Sequence, residues 1–245
     1  MVFPVHPGGQ QETGGPEGYT YAAVLVRGDV DVSLLREIRL SGWVCPPSSG
    51  WLPLVVRDGT VAAGRRGVVG VAEFLAERLG GTVLAVRVLA DRQLLLAVWA
   101  QGEEVGRYLS DPSREPGAED DTLDHPYGEE HAAAFAEALG NPDTADELGE
   151  LLAESLDTDS MIESERLSRV LRLFSLPTWL VAVASLPKDI PTGPSRRDLT
   201  RLGAGRPGLL GLLLGRLVNV VRRRRPPPLT VIDAPRGGGM DPWLM

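Results

Sequence analysis

The sequence predicts an α/β protein of the α+β kind: a mixed or antiparallel sheet domain with a strand meander, then a helical region, then a basic C-terminal extension. Three observations lead there. Short apolar, β-branched runs alternate with helix-period stretches across residues 19–111. Three such runs follow one another without a helix between Thr82 and Leu109, which is the meander. From Glu129 to Pro187 the periodicity is mostly helical. The expected divisions are a disordered lead-in at 1–18, the sheet domain at 19–111 and an acidic linker at 112–128. The helical region spans 129–187, and a Pro/Gly-rich extension fills 188–245, with an apolar helix at about 208–221.

In chain order, MVFPVHPGGQQETGGPEG is rich in Gly, Pro and Gln and reads as disordered; it has neither a basic start nor an apolar run, so no secretory signal is expected. YTYAAVLVRG is a strand, and VSLLREIRLSG a short helix closed by Gly42. WLPLVVRDGTVAAGRR suggests two strands joined at Asp58-Gly59, with Pro53 at an edge or bulge because it cannot donate to a ladder. In VVGVAEFLAERLGG, Val68, Val71, Ala72, Leu75, Ala76 and Leu79 share a face, giving the clearest helix. TVLAVRVLADRQLLLAVWAQGEEVGRYLSD then supplies three strands. The first two are largely apolar on both faces, and the third carries Glu103, Glu104 and Arg107 as an edge strand should. Three helices follow, at EEHAAAFAEALG, DTADELGELLAESL and SMIESERLSRVLRLF, the last opened by a Ser160/Glu163 capping box. LPTWLVAVASLP is either a buried strand or a helical turn. PKDIPTGPSRRD reads as a hinge, after which the extension is dispensable to the folded body.

The chain of 245 residues is 43% hydrophobic, enough for a buried core, and its one cysteine fits a reducing compartment. All basic residues but Lys188 are arginine; with the abundant Ala, Gly and Pro, that usage points to a GC-rich, actinobacterial-type genome. The net charge of −8 conceals a polarity. Residues 188–245 hold 11 basic and 4 acidic groups, whereas residues 111–165 hold 18 carboxylates and one arginine. An acidic middle and a basic tail can meet each other before either meets a partner.

The chemical motifs are weak. GAGRPG, from Gly203 to Gly208, matches the dinucleotide fingerprint by letter, but RRDLTRL before it is not strand-like. Arginines occupy the place of the ribose-binding acid, so a flexible hinge is the better reading and no cofactor is expected. DDTLDHPYGEEH gathers Asp120, Asp121, Asp124, His125, Glu129, Glu130 and His131, but the histidines are six apart across Pro126 and Gly128. A solvated acidic loop is expected, and no metal. Cys45 has no histidine partner in the pattern, and Trp43 and Trp51 read as anchors of the loop around it. No nucleophile, base and oxyanion donor come together, so catalytic residues are not assigned.

The most unusual stretch is GLLGLLLGRLVNVVRRRRPPP. It is too short to span a bilayer. On a helix, Gly208, Gly211, Gly215, Asn219 and Arg222 share a narrow face, and leucine and valine cover most of the rest. Two placements are open. The apolar surface belongs to the protein's own core, with the arginines solvated or resting on the acidic helices. Alternatively it meets a partner or an anionic membrane surface. A nucleic-acid grip is least supported, because nothing aromatic or polar interleaves the arginines. The candidate binding residues are Leu209, Leu210, Leu213, Leu214, Leu217, Arg222, Arg223, Arg224 and Arg225. The expected function is a non-catalytic interaction or regulatory protein, cytoplasmic or peripheral at the inner membrane face, docking a protein partner or an anionic surface. An accessory subunit, or an enzyme with a scattered site, is the alternative.

The segment FLAERLGGTVLAVRVLADRQLLLAVWAQGEEVGRYLSDP, about residues 74–112, resembles a family of uncharacterised proteins. In that family a helix precedes a strand meander and a Gly/Pro-bearing loop with helices follows. The shared features are an edge-strand tyrosine, here Tyr108, and an Asp-Pro exit, here Asp111-Pro112. The resemblance implies a fold and no activity.

Overall fold

The computed structural model describes residues 18–57, 60–62, 64–154, 162–224 and 236. The lead-in before Gly18, the Asp58-Gly59 turn, Ser160 and Arg225 lie outside the described residues, as does the side chain of Arg223. The elements run β1 (Tyr21–Arg27), α1 (Val32–Glu37), β2 (Gly42–Val44), β3 (Trp51–Val56), β4 (Val61–Ala62), β5 (Arg65–Arg66) and α2 (Val68–Leu79). The meander β6 (Val83–Leu89), β7 (Gln93–Ala100) and β8 (Glu103–Leu109) comes next, then α3 (Ala132–Leu139), α4 (Ala145–Ala153) and α5 (Glu163–Leu173). The chain closes with β9 (Thr200–Gly203), β10 (Arg206–Pro207) and α6 (Gly208–Arg224).

Eight strands form one antiparallel sheet in the order β10-β9-β2-β3-β1-β6-β7-β8, which is the expected α+β architecture. Alternation along each strand sends side chains to two apolar layers. Leu25, Leu84, Leu96 and Tyr108 enter one, with Phe135, Leu151, Leu167 and Leu180 from the later helices. Val24, Leu54, Ala85 and Trp99 enter the other, with Leu35 of α1 and Val71 and Leu75 of α2. Helices on both faces explain why β6 and β7 are apolar along most of their length, with Arg87 and Gln93 as the polar exceptions near their shared turn. The helical region is therefore one layer of the sheet body rather than a unit beside it.

Local chemistry decides several elements. Asp31 caps α1 by accepting from the Ser33 amide at 2.8 Å, and α1 ends at Glu37, so Gly42 opens β2 instead of closing the helix. Pro53 is not at an edge: β3 lies between β1 and β2. Its carbonyl accepts from the Cys45 amide at 3.0 Å, but it has no N–H to return the bond, and β2 stops at Val44. With both flanks of β3 taken, β4 cannot fold back on it as expected; it pairs with β5. Thr60 stands just before β4, its hydroxyl donating to the carbonyls of Ser41 and Arg57 at 3.1 and 2.8 Å. Glu163 is buried at the start of α5, where Ile162 is the capping position, so it is not the outward partner of a capping box. Residues Thr178–Ser185 resolve as a 3-10 helix that inserts Leu180 and Val183.

The acidic segment is held to the sheet at both ends. Glu115 pairs with Arg87, and Tyr127 exchanges amide bonds with Leu109 at 2.8 and 2.9 Å, a single bridge beside the end of edge strand β8. The largest departure from expectation is β9. Residues 200–203 pair with β2 in the main sheet and bury Leu202. The extension is thus part of the sheet, and a cut at Pro187 removes two of its strands.

Candidate functional site

Gly203, Ala204, Gly205 and Arg206 form the turn of the β9–β10 hairpin, where a flexible hinge was expected. Ala204 and Gly205 both have positive φ, 49° and 74°, the combination that two-residue hairpin turns use. The Gly205 amide donates to the Leu40 carbonyl at 2.7 Å and the Ala204 amide to Ser41 Oγ at 3.3 Å, so the turn is fastened to the connection between α1 and β2. The arrangement is strand, turn, strand, helix, which differs from the strand-to-helix passage a dinucleotide fingerprint requires.

Helix α6 then lies on this hairpin at the end of the sheet. It does so on the glycine face. A Cβ on Gly203 would fall 2.3 Å from the Gly211 carbonyl oxygen, and one on Gly215 would fall 3.1 Å from the Gly203 Cα. Only glycine allows the helix that close. Since the small residues face inward, the large ones face out: Leu209, Leu210, Leu213, Leu214 and Leu217 are 81, 76, 55, 39 and 63% exposed, with Val220 and Val221 alongside. At 100° per residue these seven fall within an arc of about 140°. The expectation of an own-core placement therefore fails for this face. Glycine satisfies the packing that leucine was expected to provide.

The charges within this segment of the chain are all of one sign. Between Leu199 and Arg225 the sequence has seven arginines and no carboxylate. Arg216 and Arg224 are exposed. Arg222 is half-buried, and its pKa is lowered first by desolvation and then by the charge of Arg39 near α1, so this part of the basic run sits beside more base. Arg201 stacks over Trp43, its guanidinium carbon 5.3 Å from the ring centroid. Beyond α6, Arg236 reaches the acidic segment: it bridges Thr122 and pairs with Glu119 at 3.2 Å, both side chains more than half exposed.

The other sequence candidates do not converge. Asp124 and His125 are exposed neighbours 3.6 Å apart, while the His131 ring stacks near Phe135 and its Nδ1 lies 3.2 Å from the Arg107 carbonyl. Among the described residues no three His, Cys, Asp or Glu side chains approach closely enough to hold a metal. Cys45 is buried, and desolvation pushes its thiol up to about 12, far from a reactive thiolate.

A buried polar cluster was not read from the sequence. At one end of the sheet, Tyr21 donates to Ser164 Oγ at 3.0 Å and Ser164 to Asp91. The Tyr19 amide caps the second Asp91 oxygen at 2.7 Å. Beside it Arg166 donates to Tyr108 Oη at 2.6 Å, to Glu163 Oε1 at 3.4 Å and to the Glu154 carbonyl; Tyr108 donates to the Leu152 carbonyl at 2.9 Å. Burial raises the pKa of Glu163, partly offset by Arg166 and by a Ser110 hydrogen bond. The cluster's side chains anchor α5 and the end of α4 to β1, β8 and the β6–β7 turn, a fastening role. Its residues are spread from Tyr21 to Arg166, and the only local trace is the Glu163/Arg166 spacing, which resembles an exposed i,i+3 pair.

No family model matches the chain, and neither a curated protein nor a solved structure matches it.

Proposed function

We propose that this chain is a non-catalytic docking protein of the cytoplasm or the inner membrane face, and that α6 is the element by which it docks. The observation that carries this is the row of exposed leucines on a helix whose packing side is glycine. Exposing so much contiguous apolar surface is unfavourable in water, and surfaces of this kind mark interaction sites. The rest of the chain serves as a rigid support: a sheet sealed by helices on both faces, with the β9–β10 hairpin as the shelf for α6.

The test is the double variant Leu213→Ser/Leu217→Ser in the full chain. An interaction face predicts an unfolding free energy within about 0.5 kcal/mol of the parent, as for other surface positions. It also predicts much weaker retention on a phenyl matrix. If the two leucines served the protein's own core, each replacement would cost about 2–5 kcal/mol. Such a loss would remove the docking reading.

A further inference from the structure

We propose that the counter-surface for α6 is the face of an anionic lipid bilayer, with the helix lying in the membrane plane. This deepens the docking reading and rests on it. Shape comes first. The leucines form a convex ridge on a helix at the end of the sheet, and a ridge presses into a deformable plane along its whole length, whereas a protein partner would need a matching groove. Length agrees: seventeen residues span about 26 Å, less than the roughly 30 Å of a hydrocarbon core, and no helix among the described residues is long and apolar enough to cross. Charge identifies the chemistry. The segment between Leu199 and Arg225 has seven arginines and no carboxylate, and Arg216 and Arg224 stand exposed on the same helix as the leucines, the composition that pairs acyl chains with anionic headgroups. A second copy of the chain fits less well, because it would bring another set of arginines to an interface that has no carboxylate in this segment.

The experiment is co-sedimentation of the full chain with vesicles of phosphatidylcholine alone and of phosphatidylcholine mixed with phosphatidylglycerol, at low and high salt. Expected is binding to the mixed vesicles, weak binding to the neutral ones, and loss in high salt. Replacing Arg216 and Arg224 with glutamine should weaken the partition about fivefold each. The Leu213→Ser/Leu217→Ser variant should stay in the supernatant while unfolding like the parent. Parent protein that remains in the supernatant at low salt, or binds both vesicle types equally, overturns the proposal. Sedimentation equilibrium distinguishes the two levels. A dimer abolished by the serine variant, with no vesicle binding, would refute the lipid surface and keep the docking face; a serine variant that is unstable would refute both.

Discussion

Arg166 is the side chain whose loss the fold should tolerate least. It is almost fully buried, faces the equally buried Glu163, and donates to Tyr108 and to the Glu154 carbonyl. Arg166→Met keeps much of the volume and removes the charge. Glu163 is then a buried carboxylate without its cation, and breaking such a pair on one side costs about 3–5 kcal/mol. With a urea dependence of about 3 kcal/mol per molar, the midpoint falls by about 1–2 M at neutral pH. The companion Glu163→Gln/Arg166→Met removes both charges and should recover most of the loss, because two neutral groups of similar shape need no compensating ion. Acidity supplies a second signature. The Glu163 carboxyl lies above its ordinary value of 4.5, so the folded state holds that proton more tightly than the unfolded chain. Its contribution to stability is fully present below 4.5 and is lost as pH rises through the raised folded value. Arg166→Met raises that value further, so its penalty should shrink steadily on acidification towards 4.5. Urea titrations followed by the fluorescence of buried Trp43, Trp51 and Trp99 measure all of this. A single variant within about 1 kcal/mol of the parent, or a penalty that does not change with pH, would show that the cluster does not fasten α5.

Two further outcomes follow from the packing. Gly203→Ala should lift α6 from its shelf, since the new methyl would meet the Gly211 carbonyl at 2.3 Å; amides of 208–224 should exchange faster while those of β6 and β7 keep their protection, and unchanged α6 exchange would refute the close approach. Cys45, with its thiol pushed up to about 12 by burial, should resist a disulfide-exchange reagent at pH 8 until the protein is unfolded, and rapid reaction in the native state would contradict that burial.

What the sequence discloses here follows the range of the interactions. The meander, α2 and the run of helices announce themselves through period and turn residues, because each is specified by neighbours a few positions apart. Pro53 misleads for the opposite reason. The rule that confines it to an edge is sound, yet the three-residue β2 makes an edge of its own inside the sheet. Thr200–Gly203 has no strand signature: two exposed residues precede Leu202, and only the vacant side of β2, about 160 positions earlier, makes it a strand. The docking face was legible as an amphipathic pattern, but not its direction. Leucine normally points inward, and that preference is reversed only because Gly203 waits opposite Gly211 and Gly215.

The pairing of β9 with β2 also fixes a timetable. Gly42 leaves the ribosome well before its partner Leu202, and at about 5–20 residues per second the interval is roughly 8–30 s. Through that time a growing chain can assemble β1, β3 and the meander, but the outer flank of β2 has no strand to meet. Nascent protein therefore carries an open backbone edge, the kind that recruits a stray chain, until Thr200–Gly203 has been made. Stop codons or ribosomal stalls between Pro187 and Thr200 should yield aggregates rather than shortened but functional protein, and the highest burden on chaperones should fall on chains halted in that window.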